Sequence, residues 1–138
     1  MQSFHLESIT AGDNFAVLRL EGEIDAYAAP QLSERVIQLA DNGVVHIIAD
    51  LRAVGFLDSA GLGALVGSRN GLRIRGGSIT LVASTDRILQ IFRIAGLRDA
   101  FALHSCVLDA ITADQHWQAV ISGEGGSAGE WCREHGLL

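Results

Sequence analysis

The stretch Asp50-Leu-Arg-Ala-Val-Gly-Phe-Leu-Asp-Ser-Ala-Gly-Leu-Gly-Ala-Leu65 decides the fold of this chain. Its first residue ends an apolar, β-branched run over residues 44–50, which predicts a buried strand. Asp58 and Ser59 then stand where a helix begins, because their side chains satisfy backbone N–H groups of a first turn. A short loop is expected between the strand and this helix, which extends to about Leu72. A buried strand that leads into a helix is typical of an α/β domain.

Strands and helices alternate on both sides of this stretch. Turn residues at 10–14 separate two extended segments, which predicts a hairpin at the start of the chain. Pro30 suits the first turn of a helix, and Gly43 suits its left-handed end. The predicted strands cover residues 4–9, 15–24, 44–50, 78–83 and 101–103. The predicted helices cover residues 30–42, 58–72, 86–95 and 105–121, the last capped by Ser105.

This order predicts one α/β domain with a mixed sheet of four or five strands, parallel at its centre, and four α-helices. The 138 residues leave no room for a second domain. The domain is expected to span residues 1–121. Gly and Ser dominate residues 122–129, which predicts a flexible tail over residues 122–138 whose deletion leaves the fold intact.

The charge of the chain argues against several classes of partner. Sixteen acidic residues face ten basic ones, all arginine and scattered, and the formal net charge is −6. An acidic domain without a basic stripe is a poor ligand for nucleic acid or for an anionic membrane. No apolar run reaches the length of a transmembrane helix, and the first residues lack the pattern of a secretory signal. A cytoplasmic location is therefore expected.

Gly61 and Gly63 are unusual for the first turns of a helix. Each costs about 1 kcal/mol relative to alanine. Two reasons are open: a close approach of the helix to the sheet, or a close approach of another protein to the helix. Ser59 also has two interpretations from the residues alone, as a helix cap or as a chemically used hydroxyl.

The run Phe56-Leu-Asp-Ser-Ala-Gly-Leu-Gly-Ala-Leu65 resembles the phosphoacceptor loop of the STAS family, the bacterial anti-sigma factor antagonists. Residues 20–27, with their Gly-x-x-Asp, resemble the strand-to-helix segment of that family. Residues 45–51 resemble the strand that leads to the acceptor, and residues 94–97 resemble the end of the third helix. Four motifs in the right order extend the resemblance over about residues 4–120.

The resemblance implies a protein-binding switch and not an enzyme. In that family, the unphosphorylated antagonist binds a serine kinase that is also an anti-sigma factor, and this binding frees the sigma factor. The kinase phosphorylates the serine that follows the Asp, which releases the antagonist, and a metal-dependent serine phosphatase restores it. The matching acceptor here is Ser59, because Ala60 replaces a second serine found in many relatives. The expected partner-binding surface consists of Asp25, Asp58, Ser59, Ala60, Gly61 and Gly63.

Other chemistries have weaker support in the sequence. An esterase elbow needs glycine where Leu57 stands, two residues before Ser59. A phosphate-binding loop needs a lysine, and the chain has none. Cys132 and His135 form one suggestive pair, with Cys106 and His116 as further candidates, but zinc sites usually show two such pairs. No catalytic residue, metal or cofactor is therefore expected.

Two alternatives stay open within the same fold. Related STAS domains serve as regulatory subunits of transporters or of sensing complexes, without an anti-sigma partner. The complete Asp-Ser-Ala-Gly-Leu-Gly loop favours the phosphorylation switch, whereas the unexplained tail leaves room for the other role. A weak homodimer is also open.

Overall fold

The computed structural model describes residues 3–138 and begins with the predicted hairpin. Strand β1 (Phe4–Ala11) pairs antiparallel with β2 (Phe15–Ile24). The turn between them contains Gly12 at φ +61°, in the left-handed region that glycine adopts without strain. The chain thus enters the sheet through an edge hairpin.

In the described part of the chain the sheet has five strands, in the order β1-β2-β3-β4-β5. Strands β2 to β5 are mutually parallel, so the predicted mixed sheet with a parallel centre is confirmed. The three further strands are β3 (His46–Leu57), β4 (Ser78–Val82) and β5 (Ala102–His104). The three helices that follow β2, β3 and β4 are α1 (Ala28–Asp41), α2 (Ser59–Ile74) and α3 (Asp86–Ile94).

Neighbouring residues of the central strands enter two different cores. Leu18 and Ile47 belong to the core that helices α1 to α3 cover, whereas Val17 and Ile48 belong to a second core. This division follows from the strand period of two, which sends successive side chains to opposite faces. Both faces of the sheet are therefore covered.

Strand β3 is longer than predicted. It occupies the residues expected to form a loop and ends at Leu57, directly before Asp58 and α2. A charged pair lies within it: Asp50 accepts hydrogen bonds from the Nε and Nη2 of Arg52, both at 2.9 Å. Arg52 also donates to the carbonyl of Leu137 at 2.9 Å. The hydrogen bond to Asp50 raises the pKa of Arg52. Beyond this pair the strand continues to Leu57, because its backbone stays paired with β2 as far as Ile24.

Residues 3–138 contain six helices, where four were predicted. The expected helix over residues 105–121 is two helices, α4 (Val107–Thr112) and α5 (Gln115–Gly123). Asp114 starts the second, since its carboxylate accepts the N–H groups of residues 116 and 117 at 2.8 and 3.1 Å. Cys106, and not Ser105, caps α4. Within residues 3–138, no helix combines the length and the apolar character needed to cross a membrane.

Residues 122–138 differ from the flexible tail that their composition predicts. Helix α6 (Ala128–Glu134) and the residues after it pack on the second core. Trp131, Cys132 and Leu137 are buried there against the face of the sheet that α1 to α3 leave open. Ser127 caps α6 by accepting the N–H of Glu130 at 3.1 Å. The glycine-rich segment is therefore a connection to a docked helix.

This docking predicts unequal reactivity of the two thiols. Burial raises the pKa of Cys132, whereas Cys106 is partly exposed. We expect iodoacetamide to modify Cys106 first in the folded protein and to modify Cys132 at a comparable rate only in denaturant. Peptide mass analysis of timed samples measures both rates. Equal rates under native conditions would mean that α6 does not stay docked.

Candidate functional site

The start of α2 is built on Asp58. Its backbone is extended, with φ −100° and ψ −172°, and its carboxylate accepts the N–H of Gly61 at 3.0 Å. Ser59 is the first residue inside the helix and is exposed. The cap is therefore Asp58, and the interpretation of Ser59 as the cap is wrong. The Ser59 hydroxyl lies at the surface instead.

Asp25 and Asp58 lie at the same edge of the sheet. Ile24 and Leu57 are paired where β2 and β3 end, and each precedes one of the two aspartates. The N–H of Asp58 also donates to the carbonyl of Ile24 at 3.4 Å. The Asp25 carboxylate accepts the N–H groups of residues 27 and 28, both at 3.0 Å, which starts α1 two residues before the predicted position. The structure thus brings these predicted site residues together.

The two glycines of the loop have different surroundings. A Cβ on Gly61 would lie 2.5 Å from the carbonyl oxygen of Ile24 and 2.5 Å from a methyl group of Leu57. A Cβ on Gly63 would meet nothing within 4 Å. Gly61 therefore permits the close approach of α2 to the end of the sheet. Gly63 has no such role within the described chain, and Ala60, which precedes Gly61, is half-buried.

Sequence reasoning missed two aromatic residues beside the site. Tyr27 is 87% exposed and follows Asp25 by two residues. Phe56 is 40% exposed and precedes Asp58 by two residues. Their positions next to the aspartates were the available signal, but exposure of an aromatic side chain is visible only in the folded chain. Aromatic residues are enriched at protein interfaces.

The surface around Ser59 is suited to modification by another protein. The hydroxyl is exposed, and the first-turn N–H groups of α2 have no preceding helical carbonyl to bond. His46 is engaged elsewhere, at 3.0 Å from the hydroxyl of Ser78, and His135 contacts the carbonyl of Trp131 at 2.8 Å. His116, which the sequence offers as a possible base, lies on α5, and α5 packs on the face of the sheet opposite α2.

The suggested metal ligands do not assemble into one site within residues 3–138. Cys132 is buried in the second core, and His135 lies half-buried against Trp131. Across residues 3–138, no group of three or more His, Cys, Asp or Glu side chains is arranged to hold a metal ion. The Cys132 and His135 spacing is explained by the packing of α6.

Comparison with known proteins places these features in a family. Residues 8–110 match the STAS domain family. The anti-sigma-B factor antagonist of Bacillus subtilis (strain 168) is 37% identical over 91 residues, which cover 66% of this chain and 83% of that protein.

Two solved structures share both the fold and part of the sequence. An anti-sigma factor antagonist from Mycobacterium paratuberculosis is 27% identical, with a TM-score of 0.71, over 80% of this chain and 93% of that one. The Bacillus cell fate determinant SpoIIAA in its phosphorylated form is 26% identical, with a TM-score of 0.61, over 80% and 98% of the two chains. The chain therefore belongs to the STAS domain family and is related to its anti-sigma factor antagonists.

Proposed function

We propose that this chain is an anti-sigma factor antagonist controlled by phosphorylation of Ser59. The observation that carries the proposal is the exposed Ser59 hydroxyl at the first position of α2, beside the Asp58 cap. The relatives named above are anti-sigma factor antagonists, and one of them has been solved in a phosphorylated form. Unphosphorylated, the chain binds an anti-sigma factor, and the sigma factor is freed.

The partner that fits this surface is an anti-sigma factor that is also a serine kinase. Such a partner must bind the loop closely enough to place a phosphate donor beside Ser59. Gly63 leaves open space one turn beyond that residue, and the exposed rings of Tyr27 and Phe56 flank the site. The expected contact surface also includes Asp25, Asp58, Ala60 and Gly61. These features support a protein partner and not a small substrate.

Phosphorylation changes the surface without requiring a change of fold. A phosphoserine adds about −1.5 to −2 charges and three acceptor oxygens. The first-turn N–H groups and the dipole of α2 tolerate this charge at the helix start. Asp58 and Asp25 already make the edge acidic, so the kinase surface that fits neutral Ser59 meets added bulk and repulsion. Release of the antagonist follows.

A serine phosphatase returns the antagonist to its binding state in this cycle. The chain supplies the substrate hydroxyl and is not itself an enzyme, which is supported by the position of His116 on α5, on the face of the sheet opposite α2. We place the cycle in the cytoplasm, where a sigma factor meets RNA polymerase.

The proposal predicts that the unphosphorylated chain releases a sigma factor from its anti-sigma factor. Titration of the chain into the preformed complex should produce free sigma factor, measured by gel filtration or by recovery of transcription in vitro. The chain treated beforehand with the kinase and ATP is the matched control and should release far less. A chain that binds no anti-sigma factor of its organism, and instead co-purifies with a transporter or sensing complex, would contradict the proposal.

A further inference from the structure

Three glycines on one face of α2 have no explanation within the described chain. Gly63, Gly67 and Gly71 are four residues apart, so they lie one above another on the helix. A Cβ on any of them would meet nothing within 4 Å. Each costs about 1 kcal/mol of helix stability relative to alanine. No contact within the chain requires glycine at these three positions. The glycines therefore permit the close approach of another molecule.

A groove with an unfilled hydrogen-bonding group lies beside this glycine row. The groove runs between α1 and α2, has a volume of about 290 Å³, and is lined by Val36, Ile37 and Leu72 together with two of the glycines. Ser68 also lines it, and this residue is only 7% exposed. Within residues 3–138 its hydroxyl has no hydrogen-bond partner. A buried hydroxyl without a partner is unfavourable, which points to an occupant of the groove outside the monomer.

We infer that the occupant is a second copy of this chain, with the two α2 helices packed antiparallel about a two-fold axis at Gly67. The spacing of the face supports self-recognition. Its five residues are separated by 3, 4, 4 and 3 positions, which is symmetrical about the central glycine; they are Ala60, Gly63, Gly67, Gly71 and Ile74. An isologous interface needs this kind of symmetry.

The side chains of this face are also complementary in size. The two-fold axis sets Ile74, which is 87% exposed, opposite the small Ala60 of the second copy. Gly63 lies opposite Gly71 of the second copy, and Gly67 lies opposite Gly67 of the second copy. Small residues at four-residue spacing allow helix backbones to approach closely, and ridges of this spacing give the commonest class of helix crossing. The exposed Ile37 beside the groove is covered by the same approach.

Charge favours the antiparallel direction. Asp58 caps the first turn of α2, whereas Arg73 and Arg75 stand at its end. Arg75 is in an ion pair with Asp41 of α1 at 2.7 Å. Ser59 and Arg75 are each eight residues from Gly67, or about 12 Å along the helix axis. In the antiparallel dimer, Ser59 of one copy therefore lies near Arg75 of the other. The acidic start of each helix thus faces the basic end of the other, and the two helix dipoles oppose each other favourably.

The dimer goes beyond the proposed switch and does not depend on it. It covers Ala60 and Gly63, which belong to the surface proposed for the kinase. Self-association and kinase binding therefore compete. A phosphate on Ser59 would lie towards Arg75 of the second copy, so phosphorylation is expected to favour the dimer over the kinase complex.

Sedimentation equilibrium of the purified, unphosphorylated chain tests the dimer directly. We expect a reversible monomer–dimer equilibrium, and we expect Gly67→Leu to raise its dissociation constant about tenfold or more, a change of about 1.4 kcal/mol. Ala119→Leu adds the same side chain to an exposed position of α5 and should leave the equilibrium unchanged. Gly67→Ala is the second variant, because its Cβ has open space; it should fold with a raised melting temperature and still weaken the dimer.

Three results would overturn the inference. One is a wild-type chain that stays monomeric at concentrations up to about 1 mM, because a dimer with a biologically relevant dissociation constant would be populated there. Another is a dimer that Gly67→Leu and Gly67→Ala leave as tight as the wild type. The third is a monomer in which both variants weaken anti-sigma factor binding, since the occupant would then be the kinase. The first two results leave the proposed phosphorylation of Ser59 untouched, because no kinase takes part in these measurements.

Discussion

Ser59→Asp is expected to weaken binding to the anti-sigma factor about a hundredfold or more, which corresponds to about 3 kcal/mol. The new carboxylate stands at the first exposed position of α2, beside Asp58 and at the same sheet edge as Asp25. Like charges brought together in an interface cost several kcal/mol because they lose water without gaining a partner. Ser59→Ala removes only a hydroxyl and should bind as tightly as the wild type. Isothermal titration calorimetry with the purified anti-sigma factor measures all three affinities.

A matched control separates local charge from total charge. Ser122 is exposed on α5, on the opposite face of the sheet, and Ser122→Asp adds the same unit of charge there. This variant should bind the anti-sigma factor like the wild type. Equal affinities of Ser59→Asp and Ser59→Ala would contradict the electrostatic mechanism. Equal weakening by Ser59→Asp and Ser122→Asp would mean that only net charge matters.

Gly61→Ala is expected to lower the free energy of unfolding by about 2 kcal/mol, whereas Gly63→Ala should raise it by up to about 1 kcal/mol. A methyl group on Gly61 collides with the backbone carbonyl of Ile24, which no rotamer change can relieve, and overpacking of this kind costs about 1–3 kcal/mol. A methyl group on Gly63 enters open space, so only the helix preference for alanine remains. Urea denaturation, followed by circular dichroism, measures both changes.

The two substitutions are controls for each other, since they place the same group two residues apart on one helix. Equal and unfavourable changes in unfolding free energy would show that α2 does not approach the sheet as the structure has it. The same pair also bears on binding. Gly63→Ala keeps the fold, so any loss of affinity for the anti-sigma factor would place Gly63 in the contact.

The sequence predicts the central elements because their signals are local. The hairpin follows from turn residues between two extended segments, and the start of α2 follows from the adjacent Asp58 and Ser59. Which of these two residues caps the helix is not decided by residue type, since both types cap helices well. Glycine is needed at position 61 because a side chain there would collide with the Ile24 carbonyl, 37 positions earlier in the chain. This contact depends on tertiary packing, which the local sequence does not show.

Two of the wrong predictions, those on β3 and on residues 122–138, share a non-local cause, and a third does not. Strand β3 continues past Asp50 because it stays paired with β2 as far as Leu57, and Arg52 within it is held by Asp50 and by the carbonyl of Leu137, at the far end of the chain. The residues after 122 pack because Trp131 and its neighbours are buried against an apolar face of the sheet. The strands of that face are distant in sequence, so the local pattern does not predict the contact. The third is the break at Asp114, whose capping signal is local but stands inside a continuous apolar pattern.

Mass mapping of the phosphorylated site tests the central claim most directly. The chain is incubated with its cognate anti-sigma factor kinase and ATP, digested, and sequenced by tandem mass spectrometry, with Ser59→Ala as the control. A single phosphate on Ser59, absent from the control, is the predicted result. A phosphate on another residue, or an unmodified chain beside a kinase that is active on a known substrate, would contradict the proposed switch.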